Sequence, residues 1–296
     1  SSLALGNGAT TLAGADGSAS IGFDTSAGGL TSLAVGSSTS TVGAQSVALG
    51  LNTTTGGDFS LAMGSSSVTT SNGAGSVAMG AFATANAAQA FSLGFNTNAN
   101  GDQSLALGSG TTTVGDQSVA LGSQTTTNGD FSLAMGSSSS TTSNGVGAVA
   151  MGDTAVANGA QAFSLGANTN SNGAQSFAMG SSTTAGGDQS FALGSSTTAL
   201  GQSSLAFGTG SNTTAGATNA VAMGLNAEAD GPQSFSLGTG TLSSGTSSFA
   251  LGDNTIAGAD TSFALGSGTT TLGQSSLAFG TGSNTTSGAA NAVAMG

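Results

Sequence analysis

The sequence predicts an all-β chain wound as a flattened β-solenoid of about 21 coils, with 14-residue repeats and periodic 16-residue coils. Three observations carry that reading. A five-residue phrase ending in glycine recurs at nearly constant steps, as in GDQSVALGSQTTTNGDFSLAMG (115–136). Bulky residues occupy alternate sites within the phrase, and glycine recurs where the chain has to turn.

The step is read from the glycine that closes each phrase, from Gly6, Gly22 and Gly36 through to Gly280 and Gly296. These 21 anchors leave 20 intervals, fifteen of 14 residues and five of 16. From Gly80 onward one 16-residue interval closes each block of 72, and SSLAFGTGSNTTAGATNAVAMG (203–224) is nearly repeated at 275–296. Repetition at a short fixed period is the signature of a stack of like units, each buried against its neighbours. A Gly/Ser/Thr-rich chain is also compatible with disorder, but here the bulky residues are placed rather than scattered.

Each repeat divides into two strands. In the first, the bulky residues stand three and one before the anchor, as in Val47 and Leu49, or Phe191 and Leu193. All seven methionines stand one before an anchor. Period-two alternation marks a strand with one face toward a core, so the bulky pair is expected inside. In the second strand the residues three and five after the anchor are usually Ala or Thr, as in Thr53 and Thr55 or Ala227 and Ala229. Glu228 and Asp230, which alternate with Ala227 and Ala229, prefer water and turn the Ala/Thr pair inward. A glycine about seven after the anchor then turns the chain. At ~4.8 Å between stacked strands the coils would make a rod roughly 100 Å long.

The residues four and two before the anchor are Ser or Ala in all 21 phrases. Solvent-facing sites collect larger polar residues, so this uniformity predicts a close neighbour. With the bulky pair inside, the neighbour is expected to be another subunit. Ser46, Ala48, Ser104, Ala106, Ser118, Ala120, Ser190 and Ala192 are then candidate interface residues.

Composition removes several functions. The 296 residues include 52 Gly, no Lys, Arg, His, Cys, Trp or Tyr, and twelve acids for a formal charge of −12. Without cations, nucleic acid and anionic lipid are poor partners. Without Cys there is no disulfide framework and no thiolate metal site. No run of 18 apolar residues reads as a membrane span, so no direct membrane contact is expected of this segment. Serine without an activating base is a small hydroxyl, so no enzyme and no cofactor is expected.

The phrases SVALG, SLAMG and SFALG, followed by stretches such as LNAEADG (225–231), resemble the YadA-like head repeats of trimeric autotransporter adhesins. Similar repeats occur in phage tail fibres. The resemblance covers essentially the whole chain. It implies a left-handed parallel β-roll, three chains side by side as a homotrimer, and an extracellular or cell-surface fibre head or shaft. It further implies attachment to host matrix, a cell-surface glycan or another cell. Here Thr often replaces the inner Ala, and no stalk, neck or membrane barrel accompanies the repeats. Residues 1–296 therefore read as a single repetitive domain from a longer fibrous protein.

Two chemical readings remain. Asp102, Asp116 and Asp130 lie six before consecutive anchors, so they stack. Gly-Asp is ordinary turn chemistry, while a weak cation column is the sharper alternative, since Ca²⁺ favours carboxylate oxygens. The pairs Thr111–Thr113, Thr125–Thr127 and Thr269–Thr271 suggest an ice-binding surface if they face out, against the inward direction set by Glu228.

Overall fold

A computed structural model describes all 296 residues and divides into two compact units, Ser1–Gly147 and Ala148–Gly296. Both are built from one kind of coil: a five-residue strand, a tight turn, a two-residue strand and a second turn. Val47–Leu51 followed by Thr54–Thr55 is one such coil in the first unit. Phe177–Ser181 followed by Thr184–Ala185 is one in the second.

Within each unit the long strands pair in parallel with the next coil, and so do the short ones. Leu33, Val47 and Leu61 lie in register, as do Gly36, Gly50 and Gly64. Ser40, Thr54 and Val68 lie in register on the opposite sheet. The second unit repeats this with Phe163, Phe177 and Phe191. The sequence period thus becomes a spatial ladder, like residue above like residue. The 16-residue coils keep the ladder, because Leu61 still pairs with Val77. Their two extra residues, Ser71 and Asn72 in one case, form an exposed turn closed by the Gly73 N–H on the Thr70 carbonyl at 2.9 Å.

Two left-handed residues bend each coil. In the turn Gly101–Ser104, Gln103 has φ 56° and the Ser104 N–H reaches the Gly101 carbonyl at 3.3 Å. A positive φ at the third residue defines a type II turn. Asn96, two after an anchor, has φ 54° and makes the other bend. Both backbone N–H groups bond to the preceding coil, Gln103 to the Ala88 carbonyl and Asn96 to that of Ala81, each at 2.9 Å. The ladder therefore holds non-glycine residues in a conformation that costs roughly 1–2 kcal/mol each. The anchor has no such latitude. Gly50 has φ 133°, and a Cβ there would stand 1.9 Å from the Gly64 carbonyl oxygen.

The interior is thinner than the sequence reading supposed, and this reverses the faces of the long strand. Its occupants are small, and the largest fully buried side chains are threonines. Val, Leu, Met and Phe do not fit between the two sheets, so they point outward and are only half-buried. The proposed interface residues Ser46, Ala48, Ser104, Ala106, Ser118, Ala120, Ser190 and Ala192 point into their own coil. They are at most 2% exposed in a single chain, leaving no surface for a partner. The inward direction read from Glu228 does describe the short strand: Thr53, Thr55, Ala227 and Ala229 are fully buried. The same burial removes the ice-binding columns, since Thr111, Thr113, Thr125, Thr127, Thr269 and Thr271 present nothing to solvent.

Candidate interaction surface

With the small residues inside, each long strand turns its bulky pair outward. In the first unit Val47, Leu61, Val77 and Phe91 form one column in register, and Leu49, Met63, Met79 and Leu93 form the column beside it. In the second unit the phenylalanines stack face over face. Phe163, Phe177 and Phe191 have ring centroids 4.9 and 4.7 Å apart with planes within 4°. Phe235, Phe249 and Phe263 repeat the stack at 4.9 and 4.7 Å. These rings shield one another above and below, and their outer edges remain open.

Neither column carries a charge in either unit. Where Phe207, Met223, Leu225 and Leu237 surround the bare backbone of Gly208, Gly224 and Gly238, the face dips into a shallow apolar groove. The strand edge after the anchor is different. It is mixed: Ser109 and Ser123 stand there in the first unit beside exposed Phe23, Leu51 and Phe95, and exposed Asp153 and Asp253 in the second beside Leu225. No side chain of the protein can pair those carboxylates, because it has no Lys, Arg or His. An unpaired charge is costly to bury, so the edge has to stay wet in those two coils. The continuous apolar part of the face is the bulky pair, widened by Phe23, Leu51, Phe95 and Leu225 where these follow an anchor.

The turn carboxylates have a structural task. The N–H of Ala88 donates to Asp102 Oδ1 at 3.0 Å, that of Asp102 to Asp116 Oδ1 at 2.8 Å, and that of Asp116 to Asp130 Oδ1 at 2.9 Å. The second unit does the same, from Ala174 to Asp188 and from Thr246 to Asp260. Each carboxylate ties its turn to the coil before it, and no three acids gather into a metal-binding cluster. The stacking of Asp102, Asp116 and Asp130 thus serves as a turn-to-turn clasp. Asp230 is set apart: burial raises its pKa above the usual carboxylate value, and a hydrogen bond with Thr214 opposes the shift in part.

The bulky outer face is the feature that sequence reasoning missed, although a signal for it was present. Thr stands five after the anchor in ten coils, and all ten have Ser four before it. The coils with Ala90, Ala148, Ala162 and Ala220 at the latter place carry Ala or Ser at the former. Such pairing within one chain points to contact between the two sites, and the hydrogen bond from Thr55 to Ser46 makes that contact inside the coil.

A stack of parallel two-strand coils with a small-residue interior and an uncharged apolar outer face is a repetitive parallel β-solenoid. The family model of the YadA head domain repeat matches residues 42–67, 71–111, 114–139, 143–169, 171–241 and 243–269 in overlapping copies. The chain belongs to that family. A comparison with curated proteins returns no match.

Proposed function

We propose that the chain is one protomer of a side-by-side homotrimer, the head or shaft of an extracellular adhesive fibre. The outer face of the long strands carries this reading. Within each unit it offers continuous, uncharged, half-exposed apolar columns, and soluble monomers rarely leave patches of more than a few hundred Å² uncovered. Burying a half-exposed Leu or Phe contributes about 1–2 kcal/mol, and the contribution recurs in every coil. The charges of Asp153 and Asp253 favour a contact whose rim leaves the edge after the anchor in solvent in those two coils.

Membership in the YadA head family supports the adhesive role and the cell-surface setting. The remaining surface, mostly hydroxyls, amides and turn carboxylates with exposed Phe59, Phe82 and Phe131 at the turns, would face a matrix protein, a glycan or another cell. The work is mechanical: a stiff spacer that holds a polar surface away from its anchor. With no Lys or Arg it offers trypsin no cleavage site.

Sedimentation equilibrium at micromolar concentration tests the assembly. Three chains per particle are expected, and Phe177→Asp with Phe249→Asp should return folded single chains. A wild-type chain that sediments as a folded monomer would overturn the proposal. Retention of the purified protein on matrix- or glycan-coated surfaces tests the adhesive role, and retention no greater than on albumin-coated surfaces would remove it.

A further inference from the structure

The chain has no Cys, Trp, Tyr or His, so methionine is its one side chain readily oxidised by peroxides. All seven methionines stand one before an anchor glycine, and none occurs elsewhere. That place is the outer face. Met63 and Met79 lie in register on neighbouring strands, and Met223 forms a wall of the shallow groove beside Phe207. Every methionine is at least partly open to solvent in the single chain. The oxidisable sulfur of each unit is therefore concentrated in one column of the apolar face, and the interior holds none.

We infer that this methionine column is a site of oxidative modification, with hydrogen peroxide or an organic hydroperoxide as oxidant, and that sulfoxidation closes the face to association. The second part rests on the trimer proposed above. The chemistry needs no catalyst. A lone pair on Sδ attacks one peroxide oxygen, the O–O bond breaks and an S–O bond forms. The departing oxygen takes the remaining proton and leaves as water, or as an alcohol from a hydroperoxide. The thioether loses two electrons and the peroxide gains them. The product is a polar, chiral sulfoxide where an apolar, flexible group stood. Once an assembly has formed, the same sulfurs lie in the seam and are shielded.

The test compares wild type with a variant carrying Leu at all seven places. Leu49, Leu93 and Leu107 occupy the same site in other coils, so this variant should fold. Each protein is dissociated in denaturant and refolded with or without hydrogen peroxide, then examined by intact mass, circular dichroism and sedimentation. Wild type is expected to gain seven oxygens and keep its β-structure, while its assembled fraction falls about tenfold or more, a polar group in an apolar contact being costly. The Leu variant should gain none and assemble either way. A chain carrying seven oxygens that assembles like the untreated one overturns the inference. If untreated wild type is already monomeric, the trimer reading fails and the assembly effect with it. The oxygen count on that folded monomer then decides the modification site separately, and sulfurs that resist peroxide there overturn it as well.

Discussion

Thr55 Oγ1 donates to Ser46 Oγ at 3.0 Å across the inside of one coil, and Ser46 Oγ in turn donates to the Gly43 carbonyl at 2.6 Å. The relay joins the short strand, the long strand and the turn before it. It recurs one coil later as Thr69 to Ser60 to Gly57, at 2.9 and 2.6 Å. In these coils the small polar side chains of the interior are organised by hydrogen bonds, where a thicker solenoid would use aliphatic packing.

Removing one member of the relay should cost more than removing both. Ser46→Ala leaves a buried Thr55 hydroxyl without its acceptor, a loss of about 1–3 kcal/mol. Adding Thr55→Ala to it should recover part of the loss, because the coil with Ala90 and Ala99 already has this arrangement, fully buried. Denaturant melts of the two single variants and the double variant give the coupling. Losses that simply add would mean that the relay stabilises nothing.

A complementary gain is available beside Thr111. Ser92 Oγ and Thr97 Oγ1 are 2.7 Å apart in their coil, whereas the hydroxyl of Thr111, at the equivalent place beside Ala106, has no hydrogen-bond partner. Ala106→Ser should reproduce the Ser92–Thr97 pair and raise stability by about 1 kcal/mol. A lowered melting temperature would show that the interior has no room for the added oxygen.

The strands, their period and the inward Ala/Thr pair of the short strand were legible because alternation and repetition are local properties of the chain. Which face of the long strand lies inside was not. Alternation assigns two faces, and bulk ordinarily marks the inner one. Here the thickness of the coil decides: two tight turns bring the sheets so close that Thr55 fits between them and Leu49 does not. The Asp102–Asp116–Asp130 column was legible as a stack. Its partners were not, because they are backbone N–H groups one coil away, which side-chain identities do not reveal.

The register ladder makes some positions permissive and others rigid. Ser71 and Asn72 already interrupt the 14-residue step without disturbing the pairing of Leu61 with Val77. A short Gly/Ser insertion between them should leave the melting temperature nearly unchanged. Gly50→Ala adds one carbon where the Gly64 carbonyl stands 1.9 Å away, in a backbone conformation that L-residues avoid. It should destabilise the first unit more than Ser46→Ala does. Equal effects of the insertion and the alanine would count against the ladder as the source of order.

Asp230 gives the second unit a pH dependence of definite sign. Burial raises its pKa in the folded chain, so the folded state holds a proton more readily than the unfolded one as pH falls into the carboxylate range. Where the folded state binds more protons, stability falls as pH rises. The ionised carboxylate is therefore a burden at neutral pH that protonation relieves. Asp230→Asn should raise the melting temperature at pH 7, with the gain shrinking as pH falls below the carboxylate's folded-state pKa. Partial exposure keeps the effect small, so it is best read as the difference between paired melts across pH 3 to 7. A gain that grew toward acid would mean that Asp230 is stabilised as the anion, with the Thr214 hydrogen bond outweighing its burial.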